Sequence, residues 1–489
     1  MKKILFAVSE AVPFIKTGGL GDVAGALPKA LDKEKYDVRV VLPKYACCEN
    51  LAAYGAQLVA ETEVPLAWRR QYVGIWEAEV DGIIYYLLDN EYYFSGPKPY
   101  GEIYQDIEKF SFFSRAVLEA CKELKYSPDI IHCHDWQTAL LPVVIKSLYK
   151  DCTTFQNTRT IFTIHNLRFQ GRWKLDEVQD KTGLPEKLFY GGDLEIYGEA
   201  NLLKGGSLYC DKLTTVSAEY ARELLTPEGG EGLDMVFNFK GPNFLGICNG
   251  LDINNFNPAT DPAIEKNYDV TNFMTGKRAN KLALQEKLGL NVDKDVMLVG
   301  MVSRLDKQKG FDLVCYIMEQ FLNTAHVQMV FLGSGDDQIA ESLCYFAGKY
   351  PGRVSANVIY SEELSRQIYA GCDVFLMPSL FEPCGLSQLV SMRYGTIPVV
   401  RETGGLKETV EPFNEYENKG AGFTFANYNG EELLDALRYS QKIFYDDKKK
   451  WNAMVRRDMK LDFSWEASAK KYEALYDELI AQGPVYPKK

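Results

Sequence analysis

The sequence predicts an α/β protein made of two doubly wound parallel sheets, and three observations predict it. Short apolar runs rich in β-branched residues alternate with helical stretches in the first half. The same alternation recurs, more plainly, in the second half, and turn signals crowd together between the halves. Ligands of such sheets sit at the carboxyl ends of the strands, and two sheets imply a cleft.

Lys3 to Val8 reads as the opening strand, followed by a loop ending in Thr17-Gly18-Gly19 and an amphipathic helix from about Leu20 to Leu31. Val38 to Leu42, Asp129 to Cys133 and Thr160 to Ile164 read as further strands, the last two ending in polar loops before helical stretches, as in a parallel sheet. In the second half, strand Val296 to Val302 leads through the polar loop Ser303 to Lys309 into a helix from Gly310 to Phe321. Strand Val327 to Leu332 then ends in Gly333-Ser334-Gly335. Asn357 to Tyr360, Asp373 to Met377 and Ile397 to Val400 continue as strands, with helices Ser361 to Gly371 and Leu386 to Tyr394 between them.

The turn signals Gly241-Pro242, Asn249-Gly250, Asn257-Pro258 and Asp261-Pro262 place the join at about 245 to 260. The expected division is 1–245, 246–463 and a tail 464–489. Trp465, Ala467, Tyr472, Leu475, Tyr476 and Leu479 give that tail a helical spacing and a wide apolar face that must dock on something.

Composition excludes several classes. A chain of 489 residues, 46% hydrophobic and 25% charged, fits two large domains or about three average ones. The 55 Lys and Arg against 67 Asp and Glu give a net charge of -12, which argues against nucleic acid while allowing a local basic cluster before a small anion. Its 39 glycines and 20 prolines exclude a collagen-like chain, and 11 cysteines without a CxxC pair suggest neither a disulfide framework nor a zinc ribbon. Ser9 and Glu10 cut the first apolar run short of a signal peptide, and runs such as Ala139 to Ile145 fall below the roughly 18 residues of a membrane helix. A soluble, cytoplasmic protein with no membrane partner is expected.

Several loops carry residues suited to chemistry. In Lys16-Thr17-Gly18-Gly19-Leu20-Gly21-Asp22, glycines between strand and helix let the backbone approach an anion at the helix N-terminus, or simply make a tight turn. Arg304 and Lys309 bracket the equivalent turn of the second half, as two cations for a pyrophosphate or as a solvated basic loop. Glu382, in Phe381-Glu382-Pro383-Cys384-Gly385-Leu386, is placed to bind sugar hydroxyls, to meet developing positive charge or to complement a helix N-terminus. Thr403-Gly404-Gly405-Leu406 repeats the first loop's letters as convergent turn chemistry. His165 ends a strand at the cleft rim or packs there, while His132 and His134 around Cys133 read as a strand ending without a metal-ligand set. Asp293-Lys294-Asp295 precedes its strand and reads as chance. Tyr85, Tyr86, Tyr92, Tyr93, Phe94 and Tyr100 form an aromatic cluster, for core packing or for stacking on sugar rings.

Taken together, the segment from SE to KTGGLGDV (9–23), HCHDWQ (132–137), TIHNLRFQG (163–171), VSAEYARE (216–223), NGLD (249–252), SRLDKQKGFDL (303–313), FLMPSLFEPCGLSQL (375–389), RETGGLKETV (401–410) and FSWEASAKKYEALY (463–476) resemble the bacterial glycogen synthase and plant starch synthase family, glycosyltransferase family five. The resemblance runs in order along essentially the whole chain. It implies a GT-B fold, two Rossmann-like domains facing across a deep cleft with the C-terminal helix crossing back. It implies a retaining hexosyltransferase that moves glucose from ADP-glucose to the non-reducing 4-hydroxyl of an α-1,4-glucan, glycogen or maltooligosaccharide, releasing ADP and needing neither cofactor nor metal.

Carried onto this chain, the resemblance has Lys16 and Gly19 contact the nucleotide sugar with Asp22 nearby, and Arg304 and Lys309 hold the diphosphate. Glu382 binds the transferred glucose, the Cys384, Gly385 and Leu386 backbone approaches glucose or phosphate, and His165 sits by the glucosyl ring. Asp135 and Asn249 match donor-side positions, with Glu10 and Tyr100 on the acceptor side. Residues 102–109 depart from the family's usual stretch rich in Asp, Asn and Arg, and Gln137 and Ser387 fill variable positions. A UDP-glucose-using relative and a non-catalytic glucan-binding scaffold are the two alternatives.

Overall fold

A computed structural model describes residues 1–483; residues 484–489, expected within the C-terminal segment, lie outside the described residues. The chain forms two units, one of Met1–Gly250 together with the chain from Trp465 on, the other of Leu251–Ser464.

The first unit holds a nine-stranded sheet. Its order is Phe244–Gly246, Lys212–Thr215, Arg159–Ile164, Ile130–His134, Lys2–Ala7, Tyr36–Pro43, Ile83–Asp89, Arg69–Val80 and Gln57–Leu66. All are parallel as far as Ile83–Asp89, and the last two add an antiparallel meander. Lys2–Ala7 is central: the chain first builds outward through Tyr36–Pro43, then returns to its other side with Ile130–His134. That reversal is the switch point at which a doubly wound sheet opens a crevice.

The helix Trp465–Ala481 completes this unit. Its Trp465, Ala469, Tyr472, Leu475, Tyr476 and Leu479 share a core with Leu20, Val23, Ala24 and Leu27 of helix Gly19–Ala30 and with Ile4 and Phe6 of the opening strand. The apolar spacing of the tail therefore has its partner inside the first unit. Residues 246–250, expected in the second domain, also sit here, because Ile247 donates its N–H to Thr215 O at 2.8 Å and Ser468 Oγ donates to Cys248 O at 2.7 Å. At Gly250 a Cβ would lie 2.5 Å from Trp465 Cα, so only glycine lets the outgoing chain pass the returning one.

The second unit is a parallel six-stranded sheet ordered Val354–Asn357, Val327–Leu332, Met297–Val302, Val374–Met377, Ile397–Arg401 and Phe423–Phe425. Its switch point lies between Met297–Val302 and Val374–Met377. The strand expected at Asn357 to Tyr360 is instead Val354–Asn357, paired with Met329 to Leu332. Val358 and Ile359 attract the sequence reading but are exposed, and Ser361 caps the next helix, Glu362–Gly371, by accepting from Leu364 N–H at 3.1 Å. An edge strand buries one side only and tolerates the polar Ser355 and Asn357 that hide it in the sequence. Among the described residues no helix is long and apolar enough to cross a membrane.

Candidate active site

Beyond Ala7 the chain runs through Ser9 and Glu10 to the glycine loop. Gly18 is the N-cap of helix Gly19–Ala30 and has no side chain to cap it, so the acceptor comes from upstream. Glu10, only 2% exposed, accepts through Oε1 from the N–H groups of Gly18 at 3.1 Å and Gly21 at 3.0 Å. Its Oε2 accepts from Thr17 N–H at 2.7 Å and from the Thr17 hydroxyl. Burial pushes the Glu10 pKa up, against the pull of those hydrogen bonds. Among the described residues the Gly19 and Leu20 N–H groups have no protein acceptor, so the first turn keeps two donors for an anion. Lys16 pairs with Asp22 at 2.8 Å, both partly exposed at the rim of this loop.

Glu10 and Tyr100, expected on the acceptor side, are both held by neighbouring groups of the chain. Both Glu10 oxygens are taken by the loop, and the Tyr100 hydroxyl is hydrogen-bonded to Ser9 Oγ at 2.8 Å. A carboxylate so engaged organises the glycine loop from Thr17 to Gly21.

Past His134, Asp135 adopts a left-handed backbone at φ 55°, a strained conformation for a residue with a side chain. Its Oδ1 accepts the His165 N–H at 2.7 Å, and its own N–H donates to Thr163 O at 2.9 Å. Burial raises the Asp135 pKa to about 7, helped by the charge of Glu10 and opposed by the N–H groups of His165 and Asn166. His165 Nε2 lies 2.9 Å from His134 Nδ1. The His134 ring stacks on His132 with centroids 4.2 Å apart, and His132 in turn meets the Tyr476 hydroxyl at 2.9 Å and Thr163 Oγ1 at 2.6 Å. Burial pushes His132 and His165 down to about 3 and His134 well below the usual value, so all three rings are neutral at pH 7. The His-Cys-His run is thus a strand ending whose two imidazoles stack on each other and hydrogen-bond to different partners.

In the second unit a cavity of about 190 Å³ opens at the carboxyl ends of Met297–Val302 and Val374–Met377, lined by Ser303, Arg304, Lys309, Ser379 and Ser387 among others. Asp306 shapes the loop by accepting from Gln308 N–H at 2.8 Å and, through its carbonyl, from Lys309 N–H at 3.0 Å. Lys309 Nζ donates to Glu382 Oε2 at 2.7 Å, and the Ser379 hydroxyl donates to the same oxygen at 3.1 Å. Arg304 stays exposed, 3.9 Å from Asp306, with its guanidinium fork open to a ligand. Gly310, at φ 76°, approaches Pro378 so closely that a Cβ would lie 2.1 Å from its carbonyl oxygen. The repeated Thr-Gly-Gly-Leu letters have a structural use: Gly405 donates its N–H to Glu382 O at 3.0 Å, and a Cβ on it would lie 1.8 Å from Cys384 O.

The structure therefore brings Glu10, Lys16, Gly19 and Asp22 together on one loop, joins Asp135 to His165, and joins Lys309 to Glu382 beside Arg304. Cys384, Gly385 and Leu386 follow directly and lead into helix Ser387–Arg393, with Cys384 buried and Gly385 at φ 72°. Asn249 is buried in the first unit, with an Oδ1 that has no partner among the described residues. Sequence reasoning overlooked His134 as the partner of His165 and Ser379 as the second donor to Glu382. The signals were there: a second histidine at a strand end, and a serine three residues before the glutamate.

Residues 3–239 match the family model described as the starch synthase catalytic domain, and residues 281–453 that of glycosyl transferases group 1. A glycogen synthase from Lachnospira eligens is 53% identical over 481 residues, covering 98% of this chain and 100% of its own. One from Caldicellulosiruptor saccharolyticus is 48% identical over 477 residues, covering 98% and 99%. The catalytic domain of starch synthase IV from Arabidopsis thaliana, solved bound to ADP and acarbose, aligns with a TM-score of 0.89 at 34% identity over 98% of this chain and 99% of its own. Sucrose-phosphate synthase from Thermosynechococcus elongatus, at 18% identity over 99% and 100% of the two chains, shares the fold with a TM-score of 0.62. With two Rossmann-like sheets, a polar loop cluster at the switch point of each, and identities of this size over nearly whole chains, the protein belongs to the glycogen and starch synthase family of GT-B glycosyltransferases.

Proposed function

We propose that the protein transfers glucose from ADP-glucose to the non-reducing 4-hydroxyl of an α-1,4-glucan, glycogen or maltooligosaccharide, retaining the α configuration and releasing ADP. The observation that carries this reading is Lys309, paired with Glu382 and lining with Arg304 the cavity at the second unit's switch point. The ADP and acarbose carried by the Arabidopsis relative support a nucleoside diphosphate leaving group and an oligosaccharide acceptor.

Breaking the anomeric C–O bond leaves positive charge on the sugar and adds negative charge to the departing diphosphate. Arg304 binds diphosphate oxygens as a fork and Lys309 as a point charge, and both oppose the charge that builds there. Glu382, fixed by Lys309 and Ser379, binds the transferred glucose. The Cys384, Gly385 and Leu386 backbone, Asp135 and Asn249 supply further donor contacts. Lys16, steadied by Asp22, and the free N–H groups of Gly19 and Leu20 bind the nucleotide sugar. The acceptor oxygen attacks the anomeric carbon on the face that ADP leaves, and its proton passes to the departing phosphate oxygen. No covalent glucosyl-enzyme forms, and the scheme calls for no metal.

The test is nucleotide release from ADP-glucose and from UDP-glucose, each with and without glycogen, in buffer containing EDTA. Glycogen-dependent ADP release is expected. Preference for UDP-glucose overturns the donor assignment, and glycogen binding without release from either donor favours the scaffold alternative.

A further inference from the structure

We propose that His134 is a positioning residue that fixes the tautomer of His165, so that His165 presents its Nδ1–H as an uncharged hydrogen-bond donor to an oxygen of the bound sugar. The identity of that ligand rests on the function proposed above; the tautomer does not. His134 Nδ1 and His165 Nε2, 2.9 Å apart, share a single proton, so one nitrogen donates and the other accepts.

The unused nitrogen of His134 decides which. Its Nε2 is buried with no partner among the described residues, in a stack with the His132 and Phe6 rings. If His165 donated, the neutral His134 would carry its own proton on that Nε2 and bury an N–H with no acceptor. Orphaned buried N–H groups are rare and costly, while an unmet acceptor lone pair is the lesser fault. His134 therefore donates from Nδ1, and His165 accepts at Nε2.

The remaining proton of His165 then sits on Nδ1. That nitrogen meets no protein acceptor among the described residues, and the residue is partly open to solvent. The ring is steadied from two sides, at Nε2 by His134 and at its own backbone N–H by Asp135 Oδ1. A neutral donor suits this place, because an imidazolium would oppose the positive charge that develops on the sugar ring. The burial that keeps His165 uncharged and the contact that sets its tautomer thus serve one end.

The protein has only four histidines, at 132, 134, 165 and 326, so the full chain labelled with 15N-histidine gives a spectrum simple enough to assign with His165→Gln and His326→Gln variants. Long-range 1H–15N spectra of the ligand-free protein are expected to show His134 and His165 protonated on Nδ1 and bare on Nε2. Protonation of His165 on Nε2, or on both nitrogens, overturns the proposal whatever the donor sugar proves to be. In assays, His134→Asn keeps an N–H donor at the place of Nδ1 and is expected to stay within about threefold of wild-type kcat/KM, while His134→Leu loses about tenfold or more. Equal losses in the two variants would mean that His134 only fills space. If the leucine variant does not fold, the wild-type spectrum still decides.

Discussion

The buried titratable groups at the first unit's switch point are drawn toward their uncharged forms. Glu10 and Asp135 are raised by burial, and three imidazoles are held neutral. At the second unit's switch point a lysine and a glutamate pair directly, with an exposed arginine nearby. Around each switch point the strands are parallel and the first strand has neighbours on both sides, so topology does not set this difference; the partner each carboxylate finds does. Glu10 meets backbone N–H groups and becomes loop structure, whereas Glu382 meets Lys309 and stays among charged side chains. One arrangement offers short, uncharged hydrogen bonds suited to a sugar. The other offers fixed cations suited to a diphosphate.

Breaking the charged arrangement should have the largest effect. Lys309→Met removes a cation and leaves Glu382 with Ser379 as its remaining side-chain donor, so kcat for ADP release is expected to fall by about two orders of magnitude or more, some 3 kcal/mol of barrier. A loss below about tenfold would assign the diphosphate charge to Arg304. In the uncharged arrangement, Glu10→Gln weakens hydrogen bonds to Thr17, Gly18 and Gly21 and should cost about 1–3 kcal/mol in denaturant unfolding, with a higher KM for the sugar nucleotide. Unchanged stability with a raised KM for glucan alone would place Glu10 on the acceptor side.

The smallest effect sharpens the comparison through pH. The folded Asp135 pKa, about 7, lies above the ordinary 3.8, so the folded chain holds this proton more tightly than the unfolded one. Its contribution to stability is complete below about pH 4 and is lost as pH rises through about 7. Asp135→Asn keeps an oxygen for the His165 N–H and has no proton to lose, so its Tm should vary less than wild type between pH 5 and pH 8. Identical slopes would place the titration elsewhere.

The parallel strands were legible because a strand covered on both faces must be apolar along its length, as Met297–Val302 is and as Val327–Leu332 is but for Gln328. The meander Gln57–Leu66 and Arg69–Val80 left no such run, since Glu61, Glu63 and Arg70 alternate toward solvent and the register shifts between Leu58 and Ala60. Loop words exposed the candidate site because glycines and charges at strand ends are conspicuous in sequence. Their partners were not. Glu10 with Gly21, His134 with His165 and Gly405 with Glu382 are joined by folding, and no local spacing announces them.

The return of the chain at Trp465 also fixes an order of assembly. Everything the second unit needs, Leu251–Ser464, leaves the ribosome before the helix that closes the first. Until Trp465–Ala481 follows, the opening strand and helix Gly19–Ala30 lack the apolar face they pack against, and the His132 imidazole lacks the hydroxyl of Tyr476. The half of the molecule whose synthesis begins first is therefore the half completed last, and a chain cut short between Ser464 and that helix carries one finished unit and one open core.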